Sequence, residues 1–333
     1  MKEVRFSESI TEGEDIAPEV VEKLYREGSF YIVKDLPVKT EFGIDMKSWN
    51  TGDKFLGLKM IPGGVHYIYY NVVGRDGSVS PRRGFFLHFV PGEVTVHRYD
   101  KSTEEIVDDV SEEDKERIKS NLKNIDGNLG AYPHDSWKKW LSLSGRITKE
   151  RLHQVQIRDD ENSVASRIAF TPITKQKYPD GASATEISKH CLDSSYQLEM
   201  FLRNMENIED ILGQLQLAFI VFLIGQDYDS FDHWKLVTNM LCGCMEATLK
   251  YPQLFLNFIT DLHFQVGAET QTEYFSILAL TFYRWWRFPR ISLWILFRAT
   301  TSWLFPSQTY LPTFEKVKPG SNSNLERSAL KIT

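Results

Sequence analysis

Two cysteines and two histidines come closest to the spacing of a metal site. Cys242 and Cys244 form a Cys-x-Cys pair that could supply two zinc ligands, and His233 and His190 could supply two more. No second cysteine pair accompanies them, and both cysteines fall within an apolar helical pattern over residues 231–249. Packing in a helical core is therefore the favoured interpretation, and no metal site is predicted.

A thiolate–imidazole pair is the other chemistry that the sequence suggests, because His190 directly precedes Cys191. Neighbours on a helix point about 100° apart, and a catalytic cysteine also needs a third group that orients its base. No such group can be identified, and phosphate-loop, dinucleotide-binding and paired-histidine motifs are absent from the sequence. We predict no catalytic residue and no cofactor; a cysteine- or zinc-dependent enzyme is the alternative.

Charge is unevenly distributed along the 333 residues, whose formal net charge is -6. Residues 274–333 hold eight basic and two acidic residues, a net +6, so residues 1–273 carry -12. The acidic body disfavours strong binding to RNA phosphates. Three cysteines cannot build a disulfide framework and indicate a reducing compartment, and the acidic first residues predict no signal peptide.

Strand patterns dominate the first part of the chain. Apolar or alternating runs begin at Phe30 and are separated by turn residues at 62–64, 76–77 and 91–92. Connections this short permit hairpins rather than crossovers, so an antiparallel β domain is predicted. Ser111 and Asp114 resemble a capping box that begins a helix running to Gly127.

Helical periodicity dominates the second part. The apolar run LAFIVFLIG is far shorter than the ~20 residues that cross a bilayer, and it predicts a buried bundle helix. We predict an α+β multidomain protein with an antiparallel β-sandwich-like domain followed by an all-α domain. The predicted boundaries are a β-rich domain with flanking helices over 1–153, a connector over 154–185, a helical domain over 186–273 or to about 305, and a disordered tail over 315–333.

Five stretches carry a resemblance to a known family: Val38–Tyr70, Pro81–Phe89, Leu129–Thr148, Tyr178–Glu199 and Asp210–Cys242. Two features are especially specific, the TEFGID box and the helix ending in FDHWK. In these stretches and their order, the sequence resembles the splicing factor Aar-two family, assembly factors of the U-five small nuclear ribonucleoprotein.

The resemblance implies a β-sandwich-like domain, a helical domain and no enzymatic activity. It implies a factor for spliceosome and tri-snRNP assembly and pre-mRNA splicing. The factor would bind the scaffold protein Prp-eight at its RNase H-like and Jab/MPN-like domains, within the U-five precursor particle, before exchange for the helicase Brr-two. Nucleus and cytoplasm are the expected locations, with no direct contact to nucleic acid or membrane expected.

Three aromatic residues are candidates for partner contact: Phe42, Trp49 and Trp234. For each of them, packing in the core is the favoured interpretation and partner contact is the alternative. Both are kept because burial cannot be deduced from the sequence. Exposed aromatic residues would be strong contributors to an interface.

The end of the chain departs from the family pattern after Phe275. Residues 274–314 contain thirteen aromatic residues and four arginines but no Asp, Glu or Lys. Three interpretations are open: a divergent helix pair, a membrane-surface element, or sequence from an altered gene model. The abrupt loss of acidic residues favours the last, and the sequence leaves open whether residues 276–333 are native.

Overall fold

Strands precede helices in the computed structural model, which describes residues 24–74, 78–158, 163–164 and 166–269, all within one compact unit. The strands are β1 (Ser29–Lys34), β2 (Glu41–Ile44), β3 (Lys47–Asn50), β4 (Gly57–Ile61), β5 (Gly64–Asn71), β6 (Arg83–Phe89), β7 (Val94–Asp100), β8 (Glu105–Val107), β9 (Leu129–Ala131), β10 (Gln156–Arg158) and β11 (Ser166–Ile168). The helices are α1 (Glu112–Ser120), α2 (Leu122–Ile125), α3 (Trp137–Ser144), α4 (Lys149–Val155), α5 (Ala184–Leu192), α6 (Ser195–Leu202), α7 (Asp210–Leu223), α8 (Tyr228–Cys242), α9 (Glu246–Lys250) and α10 (Pro252–Glu269). The predicted layout of a β-rich part followed by a helical part is confirmed.

Two sheets face each other in the first part. One has the strand order β3-β2-β5-β6 and is antiparallel throughout, as predicted. The other has the order β8-β7-β1-β4-β9, and here the antiparallel prediction is wrong for two pairs: β1 runs parallel to β7, and β4 parallel to β9. The reason is that long intervening chain segments serve as the crossovers that short hairpins cannot provide, and the segment between β1 and β7 contains the whole four-stranded sheet.

Both faces of each sheet are covered. On β1, Tyr31 and Val33 point into the core between the sheets, whereas Phe30 and Ile32 pack against side chains of α1 and α2. Side chains alternate along a strand, so burial on both faces explains why β1 reads as a continuous apolar run. On the outer face of the four-stranded sheet, Tyr67 packs against α3 and α7.

Helix α7 lies at the centre of the helical part and contacts α3, α8 and α10. Almost every one of its residues is buried, which accounts for the apolar run that predicted a bundle helix. No helix among the described residues has the length and apolar character needed to cross a membrane.

Two predicted helices are shorter in the structure. The helix expected from Ser111 to Gly127 has the predicted cap, with the Ser111 hydroxyl accepting from the Asp114 amide, but it is interrupted at Asn121. The pattern over 231–249 predicted one helix, yet α8 ends at Cys242 and α9 begins at Glu246. The Asp193 carboxylate binds the amides of Met245 and Glu246, and this contact begins a new helix there.

The predicted connector over 154–185 contains the small β10–β11 hairpin before its irregular portion. The predicted tail over 315–333, and every interpretation of residues 276–333, lie outside the described residues.

Candidate functional site

The TEFGID box contains a buried carboxylate at a tight turn. Asp45 follows β2, is fully buried, and has a φ of 53°, a left-handed conformation that Asp tolerates better than most residues. Its amide donates to the Tyr67 carbonyl at 2.8 Å, and its Oδ1 accepts from the Tyr67 amide at 2.9 Å. The turn after β2 is thereby fixed to the neighbouring strand β5.

The other oxygen of Asp45 joins two further elements. Oδ2 lies 2.7 Å from His66 Nδ1 and accepts from the Tyr132 hydroxyl at 2.7 Å. His66 Nε2 lies 2.9 Å from the Pro62 carbonyl oxygen, so each ring nitrogen is within hydrogen-bonding distance of an oxygen. Burial, followed by the Asp45 charge and hydrogen bond, raises the pKa of Tyr132 and keeps its hydroxyl a donor.

A second carboxylate of the same box pairs with an arginine from the PRRGFFLHF stretch. Arg82 Nη2 donates to both oxygens of Glu41, at 2.9 and 3.0 Å. Burial acts to raise the pKa of Glu41, but hydrogen bonds from Ser48 and Arg82 and the charge of Arg82 lower it overall. The pair therefore stabilises the ionised carboxylate on the outer face of the four-stranded sheet.

Arg82 also joins this sheet to the helical part. Its Nη1 donates to the Ile224 carbonyl at 2.8 Å, at the C-terminus of α7, where a cation is favoured by the helix dipole. Its guanidinium carbon lies 4.8 Å from the centre of the Tyr69 ring. One side chain thus connects β2, β5 and α7.

Glycines in two of the recognised stretches allow aromatic rings to lie against the sheet. A Cβ on Gly43 would lie 2.2 Å from the Tyr69 ring, and one on Gly84 would lie 2.1 Å from the Tyr67 hydroxyl. Any side chain at either position would displace a ring that packs under the helices. Close approach explains these two glycines.

The helical part has its own organising carboxylate at Asp193. Oδ1 accepts from the amide and hydroxyl of Ser195 and from the Met245 amide, and Oδ2 accepts from the Glu246 amide. Burial acts to raise the pKa of Asp193, but these hydrogen bonds lower it overall. Asp193 therefore fixes α9 against the start of α6.

Arg146 forms a further contact between the recognised stretches. Its amide donates to Gln216 Oε1 at 2.8 Å, and its Nε donates to Asp261 Oδ2 at 2.6 Å. Burial raises the pKa of Asp261 to about 6, against the opposing effect of the Arg146 charge. The loop after α3 is in this way bound to both α7 and α10.

The three predicted contact residues lie in different environments. Phe42 and Trp234 are buried, at 1% and 0% exposure, as the favoured core interpretation predicts. Trp49 is 43% exposed, contrary to that interpretation, because β3 ends its sheet and all four of its residues face solvent. Phe42 and Trp49 pair across β2 and β3, whereas Trp234 lies apart from them on α8.

Trp49 lies at an apolar pocket that opens between the two sheets. The pocket has a volume of about 220 Å³. Its lining comes from β2, β3, the loop after β3, β4 and β9: Phe42, Trp49, Asn50, Thr51, Phe55, Leu58, Gly130 and Ala131.

The cysteines and histidines considered for zinc or thiol chemistry are dispersed. Cys191 is exposed, Cys244 is buried, and the His190 ring packs 5.3 Å from that of Tyr196. His233 stacks on Phe170 at 4.2 Å, and burial lowers its pKa to about 4. Within the described residues, no group of three or more His, Cys, Asp or Glu side chains is arranged to hold a metal ion.

Comparison with known proteins identifies the family of this chain. Residues 27–157 match the family model described as AAR2 N-terminal domain, and residues 170–285 match AAR2 C-terminal repeat region. The chain belongs to the AAR2 family, written Aar-two above. The human Protein AAR2 homolog is 33% identical over 300 residues, or 75% of this chain and 78% of the relative. The Caenorhabditis elegans homolog is 30% identical over 311 residues, or 79% and 85% of the two chains.

The resemblance predicted from five stretches is therefore confirmed, and membership supports a splicing-related assembly factor. The AAR2 C-terminal match continues to residue 285, ten residues beyond Phe275, the predicted point of departure from the family. The roles of Asp45, Arg82 and Asp193 were not predicted from the sequence. The available signal was position alone: Asp45 and Arg82 adjoin strand-like apolar runs, and Asp193 lies between two helices.

Proposed function

We propose that this AAR2 protein is a non-enzymatic assembly factor of the U-five small nuclear ribonucleoprotein. It binds the scaffold protein Prp-eight within the precursor particle and is exchanged for the helicase Brr-two during maturation towards the tri-snRNP. It acts in the nucleus and cytoplasm, and it contacts protein rather than nucleic acid or membrane. Family membership over both the β-rich and the helical part supports this proposal.

One structural observation carries the non-enzymatic part of the proposal. Polar side chains of the recognised stretches bind one another in three pairs: Asp45 with His66, Glu41 with Arg82, and Asp193 with Ser195. They connect elements and do not converge on an open pocket. The pocket beside Trp49 is lined chiefly by apolar side chains, which suits binding better than acid–base chemistry.

Direct binding tests the proposal. Full-length chain, tagged and purified, should retain a Prp-eight fragment that contains the RNase H-like and Jab/MPN-like domains, and should release it when Brr-two is added. An unrelated RNase H-like domain is the control. Failure of the purified chain to bind the Prp-eight fragment would contradict the proposal.

Metal and thiol measurements test the alternative of a cysteine- or zinc-dependent enzyme. The proposal expects no stoichiometric zinc in the full-length protein and ordinary alkylation rates for Cys191. Tightly bound zinc at one equivalent, or an unusually fast reaction at this exposed thiol, would favour the enzyme instead.

A further inference from the structure

The pocket beside Trp49 lies between two sheet edges. Among the described strands, β3 is last in the four-stranded sheet and β9 is last in the five-stranded sheet. Trp49 and Asn50 of β3 form one wall, and Gly130 and Ala131 of β9 form the other. The floor is formed by Phe42 and Leu58, which belong to the core and are each only 1% exposed. The pocket is thus an apolar recess between the two edges that ends on the closed core.

The backbone of β3 presents hydrogen-bonding groups at the same place. The Asp45 amide bonds to Tyr67 of β5, whereas the Thr51 amide bonds to the Thr40 carbonyl at 2.9 Å. Bonding alternates along an antiparallel strand, so every second residue of β2 bonds to β3. The backbone N–H and C=O groups of Ser48 and Asn50 consequently face away from the sheet.

The opposite wall of the pocket, on β9, consists of small residues. Gly130 has no side chain, and a Cβ there would lie 3.3 Å from Leu58 Cδ2. Ala131 is exposed and carries a single methyl group. A volume of about 220 Å³ suits one large apolar side chain inserted between the two edges.

We propose that β3 and this pocket bind an extended segment of the partner protein, which pairs with the outer edge of β3 and inserts one large apolar side chain beside Trp49. The outward-facing backbone groups of β3, which no other described strand pairs with, select an extended chain, because a helix satisfies its own backbone and offers no donors or acceptors to an edge strand. The inference rests on the proposed function, since Prp-eight is the partner meant.

Variants of the full-length chain separate the two components of the contact. Trp49→Ala removes the pocket's exposed wall, and Ala131→Trp fills the pocket. Asn50→Pro removes an outward N–H without breaking the β2–β3 bonds, and Asn50→Ala is its matched control because the N–H is kept. Tyr228→Ala, at an aromatic residue that is 62% exposed on α8, is the control for loss of surface aromatic area. Circular dichroism checks that each variant is folded.

Affinity for the Prp-eight fragment is the measurement, with amide hydrogen exchange of free and bound chain beside it. We expect Trp49→Ala and Ala131→Trp each to weaken binding about tenfold or more, Asn50→Pro to bind more weakly than Asn50→Ala, and Tyr228→Ala to bind as wild type. The Ser48 and Asn50 amides should gain protection in the complex.

Two results would overturn the inference in distinguishable ways. In the first, the wild-type chain binds, but the pocket variants bind equally well, or Asn50→Pro and Asn50→Ala have equal affinities and no amide gains protection. Either outcome means that the partner binds elsewhere. The proposed function then stands and the inference is wrong. If the wild-type chain does not bind the Prp-eight fragment at all, the proposed function fails and the inference fails with it.

Discussion

Individual polar residues in the recognised stretches hold neighbouring elements of the fold in place. Asp45 is buried because three donors surround it, from His66, Tyr67 and Tyr132. An isolated buried carboxylate would be strongly destabilising, but a fully paired one specifies a single arrangement of the elements that meet at it. The TEFGID box is therefore explained by its interior contacts, which account for its Phe, Gly, Ile and Asp together.

Replacing Asp45 tests this explanation. Asp45→Asn keeps a side chain that tolerates φ of 53° but replaces one carboxylate oxygen with an NH₂ group, so buried donors at that position lose their acceptor. We expect a loss of about 1–3 kcal/mol in the free energy of unfolding, measured by urea titration. Asp35→Asn is the matched control, because Asp35 has a φ of 61° and is exposed. Equal small losses in both variants would contradict the assigned role.

His233 supplies a pH-dependent test. Burial lowers its pKa to about 4, below the 6.5 of an unfolded histidine, so the unfolded chain binds the proton more tightly. Stability should therefore fall as pH decreases from about 6.5 to 4, by up to about 3 kcal/mol from this residue. His233→Phe retains the stack on Phe170 and should remove that part of the loss.

Comparing unfolding at pH 7.5 and pH 5 isolates the His233 effect. At pH 7.5, the difference in the free energy of unfolding between variant and wild type reflects packing alone. At pH 5, any change in that difference reflects the protonation of His233. A constant difference at both pH values would show that His233 does not titrate as its burial implies.

At the scale of elements, polar side chains fix strands and helices that the sequence separates widely. Arg82 joins β2 to the end of α7, Arg146 joins the loop after α3 to α7 and α10, and Asp193 joins α6 to α9. These contacts were not predicted, because periodicity locates an element but carries no information about which distant element it meets.

Arg82 and its neighbour Arg83 offer a matched comparison. Arg82→Lys cannot keep the two bonds to Glu41 and the bond to Ile224 together, because a lysine lacks the planar fork of donors. We expect a loss of about 1.5–3 kcal/mol in the free energy of unfolding. Arg83→Lys affects a more exposed pair with Glu105 and should cost at most about 1 kcal/mol. The reverse order would refute the linking role of Arg82.

Asp193 gives the corresponding test in the helical part. Asp193→Asn loses acceptor capacity for four donors and should cost about 2 kcal/mol or more at pH 7. Its pKa is lowered in the fold, so this contribution is present above the unfolded value of about 3.9 and is lost as pH falls through the folded value. The gap between wild type and variant should therefore shrink at pH 3. Asp232→Asn, at an exposed acid of α8, should be nearly neutral at both pH values.

At the scale of the whole molecule, one apolar cluster crosses from the four-stranded sheet to the helices. Tyr67 and Phe86 of the sheet pack with Trp140 of α3 and with Leu217 and Ile220 of α7. If either part unfolded alone, the apolar side chains of the other part in this cluster would be exposed to water. Each part therefore stabilises the other.

We therefore expect a single unfolding transition. Helix loss followed by circular dichroism and sheet loss followed by infrared absorption should have the same urea midpoint. Leu217→Ala should cost about 2–5 kcal/mol and shift both midpoints equally. Separate midpoints, with the helical signal lost first, would show that the two parts unfold independently.

The sequence by itself determined the family, the β-then-α order and the apolar character of the core, because motifs, periodicity and composition are local properties of the chain. It also restricted Phe42, Trp49 and Trp234 to two possible environments, core or surface. Only the tertiary structure decided between them. A strand's inner and outer residues have the same pattern wherever the strand lies in its sheet, and Trp49 became exposed because β3 lies at an edge. The parallel pairing of β1 with β7 and the contacts of Asp45, Arg82 and Asp193 were likewise decided by long-range packing, which brings together residues that no local pattern relates.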